Sequence, residues 1–231
     1  MKLHRILSER KFSLVVSLPE NDLGLARAAL DGGCDAVKVH VNVWHRASGH
    51  TFGTYQENKG FLRDMVRLCG DVPVGLVPGG ADAFISPEER VEMEALGVDF
   101  FSSYAQHLPV HMMESRILTK MPAIDSTYTQ NTLDAIRASE IDVLECSIQP
   151  GELYGTPLNY ADILKYADIS AKVGKPTLIP TQKVIKPSEV RHLHHAGCKA
   201  IMIGAIVLGK DPSPERLRAV TQEFREAIDA L

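Results

Sequence analysis

Cysteine is scarce in this chain of 231 residues, and its four cysteines stand far apart, at Cys34, Cys69, Cys146 and Cys198. Zinc sites and redox motifs need cysteines paired at short spacing, so the sequence predicts neither. Each cysteine lies in or beside an apolar segment, which favours small core residues with free thiols. Free thiols are typical of a reducing compartment, and we expect a cytoplasmic protein.

Excess positive charge and long hydrophobic runs are also missing. The formal net charge is −4 and the pI is about 6.1, so no basic surface for nucleic acid is expected. No apolar stretch approaches the roughly 20 residues of a membrane-spanning helix. Lys2, His4 and Arg5 interrupt the start of the chain, where a signal peptide would be apolar. We therefore predict no nucleic-acid partner and no membrane partner.

A regular repeat fills the chain instead. Short apolar runs alternate with segments of helical periodicity, a pattern typical of parallel β/α units, and eight units can be counted without a linker. The predicted strands are 12–18, 36–41, 72–77, 99–103, 121–124, 143–148, 177–179 and 200–203. The predicted helices are 21–31, 58–69, 86–96, 109–118, 129–138, 159–173, 186–196 and 213–231. The sequence thus predicts an α/β fold in which residues 1–231 form a single domain, a (β/α)8 TIM barrel.

Polar residues at alternate strand positions identify the predicted barrel interior. Valines at 37, 39 and 41 would face the helices, so Lys38, His40 and Asn42 would point inward. The same parity selects further inward residues on other strands: Asp125, Glu145, Ser147 and Thr181. Lysine and acidic residues are almost never buried unless they are paired or functional. We predict Lys38, Glu145, His40 and Asp125 as catalytic residues, and Asn42, Ser147 and Thr181 as substrate-binding residues.

Two readings compete for the charged interior residues. Lys38 could form a purely structural ion pair with Asp125 or Glu145, and His40 could be a core histidine bonded to the backbone. A catalytic role requires that Lys38 and Glu145 both reach the substrate. Strands two and six lie opposite each other in a barrel, so Lys38 and Glu145 could flank a substrate and exchange protons with it.

The segment after the second strand, residues 43–55, is too long for a simple connection. It carries the only tryptophan and three further candidate substrate ligands, His45, Arg46 and His50, so we predict a lid. A second long loop, residues 149–157, follows Glu145. The histidines could also bind a metal together with Asp125 and Glu145. Their spacing matches no ligand pattern and Lys38 would compete with a cation, so no metal is predicted.

The last two units predict an anion site. Strand eight ends at Gly204, and the amides from Ala205 onward begin one extra helical turn, the arrangement by which barrels bind phosphate after strands seven and eight. Lys183, two residues after Thr181, would add a charge to this site. We therefore predict Lys183, Gly204 and Ala205 as phosphate ligands.

Residues 181–190, the pair Ala196–Gly197 and the run 201–205 resemble the tail of the ribulose-phosphate-binding barrels. That group includes indole-glycerol-phosphate synthase, the tryptophan synthase alpha chain and the N-acylglucosamine-6-phosphate 2-epimerases. The resemblance implies a barrel that binds phosphate. The chain departs from the group after strand seven, where Gln182 and Lys183 replace the usual glycine. Thr181 also stands where the epimerases have an acid, which leaves Glu145 as the best carboxylate.

Three functions fit these features. The first is an isomerase or epimerase that moves a proton next to a carbonyl of a sugar phosphate, with Glu145 as base and Lys38 as acid, and without a cofactor. The second is a lyase or aldolase in which Lys38 or Lys183 forms a Schiff base. The third is a phospho-metabolite binding protein without catalysis. Each of the three functions is compatible with a homo-oligomer.

Overall fold

The computed structural model describes residues 1–231 and has at its centre a closed barrel of eight parallel strands. These are β1 (Ser13–Ser17), β2 (Ala36–His40), β3 (Val74–Val77), β4 (Phe100–Phe101), β5 (Thr119–Lys120 and Ala123–Ile124), β6 (Leu144–Cys146), β7 (Thr177–Pro180) and β8 (Ala200–Ile203). Each lies within a predicted strand segment or overlaps one. The predicted (β/α)8 barrel is therefore confirmed.

Strand β5 consists of two halves, and this break accounts for nine strand segments in an eight-stranded barrel. The first half pairs with β4 and the second with β6, while β1 pairs with β8 and closes the ring. Pro122 lies between the halves and has no N–H to donate, so the ladder is interrupted there. Its carbonyl still accepts the Glu145 amide at 3.0 Å.

Nine α-helices surround the strands or close the ends of the barrel. They are α1 (Lys2–Glu9), α2 (Leu23–Asp31), α3 (Tyr55–Cys69), α4 (Pro87–Leu96), α5 (Gln130–Ala138), α6 (Tyr160–Val173), α7 (Val190–His195), α8 (Ala205–Leu208) and α9 (Pro214–Asp229). Capping boxes start several of them, as at Thr54 with Glu57 and Ser86 with Glu89, which satisfies amides that the helix cannot pair itself. None of these helices is both long and apolar enough to cross a membrane.

The predicted helix over 109–118 is wrong. Two short 3₁₀ helices, Ala105–His107 and Val110–Glu114, connect β4 to β5 instead. Val110 is 80% exposed and Met112 is the only fully buried residue of its turn, so the segment lacks the apolar stripe that would hold a longer helix against the strands. The Ser115 hydroxyl then accepts the amides of Ile117 and Leu118 and turns the chain into β5.

Helix α1, which the sequence analysis did not predict, closes the amino-terminal end of the barrel. The amides of Lys2 and Leu3 donate to the Asp99 carboxylate at 2.6 and 2.8 Å, which fixes the start of the helix. Leu3 and Leu7 are fully buried, in one cluster with side chains of the strands that point into the barrel. That end is therefore filled, and the carboxyl ends of the strands remain open for a ligand.

A β-hairpin stands over those carboxyl ends where the sequence predicts a lid. Val43–His45 pairs with His50–Phe52, and α3 begins three residues later. Asn42 starts the hairpin with a φ of 55°, the left-handed region that non-glycine residues seldom adopt. Its side chain donates to the Pro78 carbonyl at 3.2 Å, and its amide donates to Gly53. The hairpin is therefore anchored at its base.

Candidate active site

A cavity of about 440 Å³ lies at the carboxyl ends of the strands, beneath the hairpin. This size suits a small metabolite. Strands β1, β2, β6, β7 and β8, with the loops after β2, β3, β4 and β6, supply its walls. Most of the predicted site residues lie here: Lys38, His40, Asn42, His45, Arg46, Glu145, Ser147, Thr181, Gly204 and Ala205.

An ion pair forms the floor of this cavity. The Lys38 Nζ atom lies 3.2 Å from Glu145 Oε2, and the two side chains are only 6% and 7% exposed. Their strands, β2 and β6, face each other across the ring, as the sequence analysis expected. The two groups meet directly, however, so a ligand would lie above the pair and not between its members.

Glu145 is held as a carboxylate. Its Oε2 atom accepts hydrogen bonds from Lys38 and Ser102, and its Oε1 atom accepts one from Ser147 at 2.8 Å. Burial raises the pKa of this carboxyl, but the Lys38 ammonium and the two serine hydroxyls outweigh burial and hold the pKa below its usual range. The floor therefore presents a fixed negative charge beside a fixed positive one.

Aromatic rings form the wall beneath the hairpin. The His40 ring stacks on Phe52 at 4.7 Å and lies 4.5 Å from the His45 ring. Burial, together with His45 and Lys38, lowers the pKa of His40 well below its usual value. Burial and Lys38 likewise lower the pKa of His45 to about 4. Both imidazoles are thus neutral at physiological pH, and the buried Nδ1 atom of His40 has no hydrogen-bond partner.

Gly204 and Ala205, two of the three residues predicted to bind phosphate, line the side of the cavity formed by β7, β8 and β1. The Thr181 hydroxyl oxygen accepts the Gly204 amide at 3.0 Å and so fixes the turn into α8. A Cβ atom on Gly204 would lie 3.6 Å from Ser17 Cβ and 3.7 Å from the Ser17 carbonyl, at ordinary contact distance, so the end of β1 lies beside this turn. Ala205 follows in the cavity wall and is the first residue of α8, so its amide has no acceptor within that helix.

Several solved structures have the same architecture as this chain. The tryptophan synthase alpha subunit of Pyrococcus furiosus matches with a TM-score of 0.70 at 14% identity, over 93% of this chain and 98% of that one. Thiamine phosphate pyrophosphorylase of the same organism matches with a TM-score of 0.68 at 14% identity, over 95% and 96% of the two chains. KGPDC from Streptococcus mutans matches with a TM-score of 0.69 at 13% identity, over 96% and 99%.

The chain shares their fold. The tryptophan synthase alpha chain is among the proteins whose tail the sequence was expected to resemble, and the two chains have the same barrel architecture. No protein-family model matches the sequence, and no curated protein matches it either. The function of this chain is therefore inferred from the side chains of its own barrel.

Three predicted site residues lie outside the cavity. Lys183 is 3% exposed, and its ammonium lies 3.5 Å from Asp162 Oδ2 and 2.9 Å from the Thr156 hydroxyl, toward α6. The chain turns after β7, and the alternation of inward and outward side chains ends with the strand. The structure therefore ties Lys183 to α6 and does not bring it to Gly204.

Asp125 and His50 also make contacts of their own. Asp125 follows β5, where its carboxylate accepts hydrogen bonds from Gln106 and Thr127 at the outer edge of the barrel. His50 sits at the far side of the hairpin, with Nδ1 2.9 Å from the Pro19 carbonyl and Nε2 3.1 Å from Asp211. These contacts attach the hairpin to the loops after β1 and β8, away from the cavity.

Several cavity residues escaped the sequence analysis: Ser102, Tyr104, Tyr154 and Gln182. Gln182 is buried, and its amide oxygen accepts the Gln149 backbone N–H at 3.0 Å, so its Nε2 must donate to Ser147 and Tyr154. Parity could have found two of them, because Phe100 points inward and Ser102 and Tyr104 follow at alternate positions. The Gly155 amide donates to the Gln182 carbonyl at 2.9 Å, so the loop over 149–157 is attached to β7.

Proposed function

We propose that this protein is an enzyme that transfers a proton next to a carbonyl group of a phosphorylated small molecule, in the manner of an isomerase or epimerase. Glu145 takes the proton and Lys38 stabilises and protonates the developing oxyanion or carbanion. The phosphate binds on the β7–β8 side of the cavity, where Thr181, Gly204 and Ala205 lie. No cofactor takes part in this reaction.

The buried Lys38–Glu145 pair at the cavity floor is the observation that carries the proposal. A buried ion pair is seldom the most stable solution for a barrel interior, because apolar residues of similar volume usually do as well or better. Both members of this pair line the cavity, and one is able to accept a proton while the other is able to donate one. Serine hydroxyls on both carboxylate oxygens orient Glu145. A proton acceptor and donor in contact suit a reaction that shifts a proton within one substrate.

Support for the phosphate comes from two sources. The first amides of α8, which have no acceptor within the helix, and the Thr181 hydroxyl supply hydrogen-bond donors for an anion on that wall. One of the structures that share this fold is named thiamine phosphate pyrophosphorylase, and its name includes a phosphorylated compound. At 14% identity that likeness concerns the fold, and the ligand here is our inference.

A Schiff-base lyase is the second candidate, and the geometry favours Lys38 over Lys183 for it. Glu145 lies next to Lys38 and can accept the proton that the ammonium must lose before its nitrogen attacks a carbonyl. The C–N bond then forms, and the carbonyl oxygen leaves as water. Lys183 lies against Asp162 outside the cavity and has no comparable access.

The test uses a panel of aldose and ketose phosphates of three to six carbons, incubated with the protein in deuterated water. We expect deuterium incorporation next to the carbonyl of at least one compound, measured by mass spectrometry. Glu145→Gln keeps the size of the side chain and should slow incorporation by about 10²–10⁴. Glu152→Gln, an exposed residue of the loop after β6, makes the same chemical change as a control and should leave the rate unchanged.

Borohydride added to the same mixtures separates the two enzymatic candidates. A covalent adduct that forms on the wild type and is lost in Lys38→Met would support the Schiff-base lyase. Incorporation without an adduct supports the isomerase or epimerase. Binding of a panel member with neither incorporation nor an adduct would indicate a binding protein and overturn the proposed function.

A further inference from the structure

Arg46 crosses the mouth of the cavity. It lies at the end of the first hairpin strand, after β2, and its guanidinium contacts the backbone of Gly151 in the loop after β6. A Cβ atom built on Gly151 would lie 2.6 Å from Arg46 Nη1 and 3.1 Å from Cζ. Gly151 thus leaves the space that the guanidinium occupies.

Strands β2 and β6 are therefore connected twice across the barrel axis. Lys38 and Glu145 connect them at the floor of the cavity, and Arg46 and Gly151 connect the segments that follow them at the mouth. All these residues except Gly151 belong to the cavity wall. A ligand above the floor pair would consequently lie beneath the Arg46 guanidinium.

The charge of Arg46 is not balanced by the protein. Four lining residues carry formal charge at neutral pH: Lys38, Arg46, Asp82 and Glu145. Lys38 and Glu145 neutralise each other, and no carboxylate, Asp82 included, lies within ion-pairing distance of Arg46. The neighbouring His45 is neutral, because burial and Lys38 lower its pKa to about 4. Arg46 is an exposed residue at the cavity mouth and forms no ion pair within the protein, so its guanidinium N–H groups remain available to a ligand there.

We propose that Arg46 binds a second acidic group of the ligand, so that the substrate carries a phosphate at one end and a carboxylate or another phosphate at the other. This inference rests on the proposed phosphate site at Thr181 and Gly204, which lies on the β7–β8 side of the cavity. The planar guanidinium offers two parallel donors, a geometry that matches a carboxylate or a phosphate. Arg46 thereby determines which phosphorylated compounds are accepted.

The experiment compares three probes by calorimetry: inorganic phosphate, glycerol phosphate and phosphoglycerate. The last two differ by one carboxylate, so their affinity ratio reports the second acidic group. We expect phosphoglycerate to bind the wild type at least tenfold more tightly, which is the effect of one charge-assisted hydrogen-bonding pair. Arg46→Ala should remove this preference and leave glycerol phosphate affinity unchanged. Gly151→Ala should reduce the preference, because the added methyl group displaces the guanidinium.

Arg191→Ala is the matched control, since Arg191 is an exposed arginine of α7 and its loss changes the net charge equally. It should keep the preference. Equal binding of the two esters by the wild type, or a preference that survives Arg46→Ala, would overturn the assignment of Arg46 while the phosphate site stands. If none of the three probes binds, the phosphate site of the proposed function is refuted, and the assignment of Arg46 fails with it.

Discussion

Replacing Lys38 by methionine tests the electrostatics of the cavity floor most directly. Methionine has a similar length and stays apolar, so the variant removes the charge with little change in packing. The Glu145 carboxylate then remains buried, at 7% exposure, with hydrogen bonds from Ser102 and Ser147 only. Breaking one side of a buried pair in this way costs about 3–5 kcal/mol.

The expected shift in melting temperature follows from the size of the chain. For a protein of 231 residues, 1 kcal/mol corresponds to about 2–4 °C in Tm, so Lys38→Met should lower Tm by about 6–20 °C near neutral pH. This range lies well above the scatter of a melting experiment followed by circular dichroism.

The pH dependence of the cost has a definite sign. In the wild type the Glu145 pKa is lowered, so this group stabilises the fold above its unfolded-state pKa, and the stabilisation is lost as pH falls through the folded-state pKa. Without Lys38, burial becomes the dominant influence and raises that pKa. The folded state then binds the proton more tightly than the unfolded state, and stability falls as pH rises. Lys38→Met should therefore cost more at about pH 8 than at about pH 5.

Two further variants make the result interpretable. Lys38→Met combined with Glu145→Gln has no stranded charge and should recover much of the lost Tm. Lys165→Met removes an exposed lysine of α6 and should leave Tm within about 2 °C of the wild type, as most surface substitutions do. The reasoning would be refuted if Lys38→Met melted like this control, or if its cost were equal at both pH values.

Two other predictions concern Lys183, which lies outside the cavity, and Trp44, which lies at the cavity mouth. Lys183→Ala should lower Tm, because the buried Asp162 carboxylate loses its ion-pair partner. Binding of inorganic phosphate, measured by calorimetry, should be unchanged. Weaker phosphate binding at an unchanged Tm would show instead that Lys183 contributes to the anion site. Trp44 is 58% exposed at the cavity mouth, so its fluorescence emission should shift to shorter wavelength when a bound sugar phosphate covers it. If calorimetry shows binding and the spectrum at saturation is unchanged, the hairpin is not part of the binding site.

Strand positions and the inward residues in the middle of strands could be predicted from the sequence. In β2 the alternation of valine with polar residues has one physical cause, since one face packs on helices and the other faces the axis. Lys38 and His40 are accordingly found in the cavity wall. Glu145 was identified on a similar basis, as a lone acid in a central strand.

Residues beyond the strand ends could not be placed in this way. Lys183 and Asp125 follow β7 and β5, where the chain turns and the period of two no longer applies. Their directions depend on partners distant in sequence, Asp162 for one and Gln106 for the other. The connection between β4 and β5 was mispredicted for a different reason. Its segment begins with Pro109, a residue common at helix starts, but it lacks the apolar stripe that a helix needs to pack on the strands.

Helix α1 has a consequence for the order in which the molecule folds. Leu3 and Leu7 belong to one buried cluster with Val15 from β1, Phe100 from β4 and Leu178 from β7, so the members of this cluster come from almost the entire length of the chain. Helix α1 precedes all eight strands in the chain, yet its docking surface is complete only after β8 has closed the ring. An eight-residue helix is marginal in isolation. We therefore expect α1 to be the last segment to gain protection from hydrogen exchange during folding, after the final strand has joined the barrel.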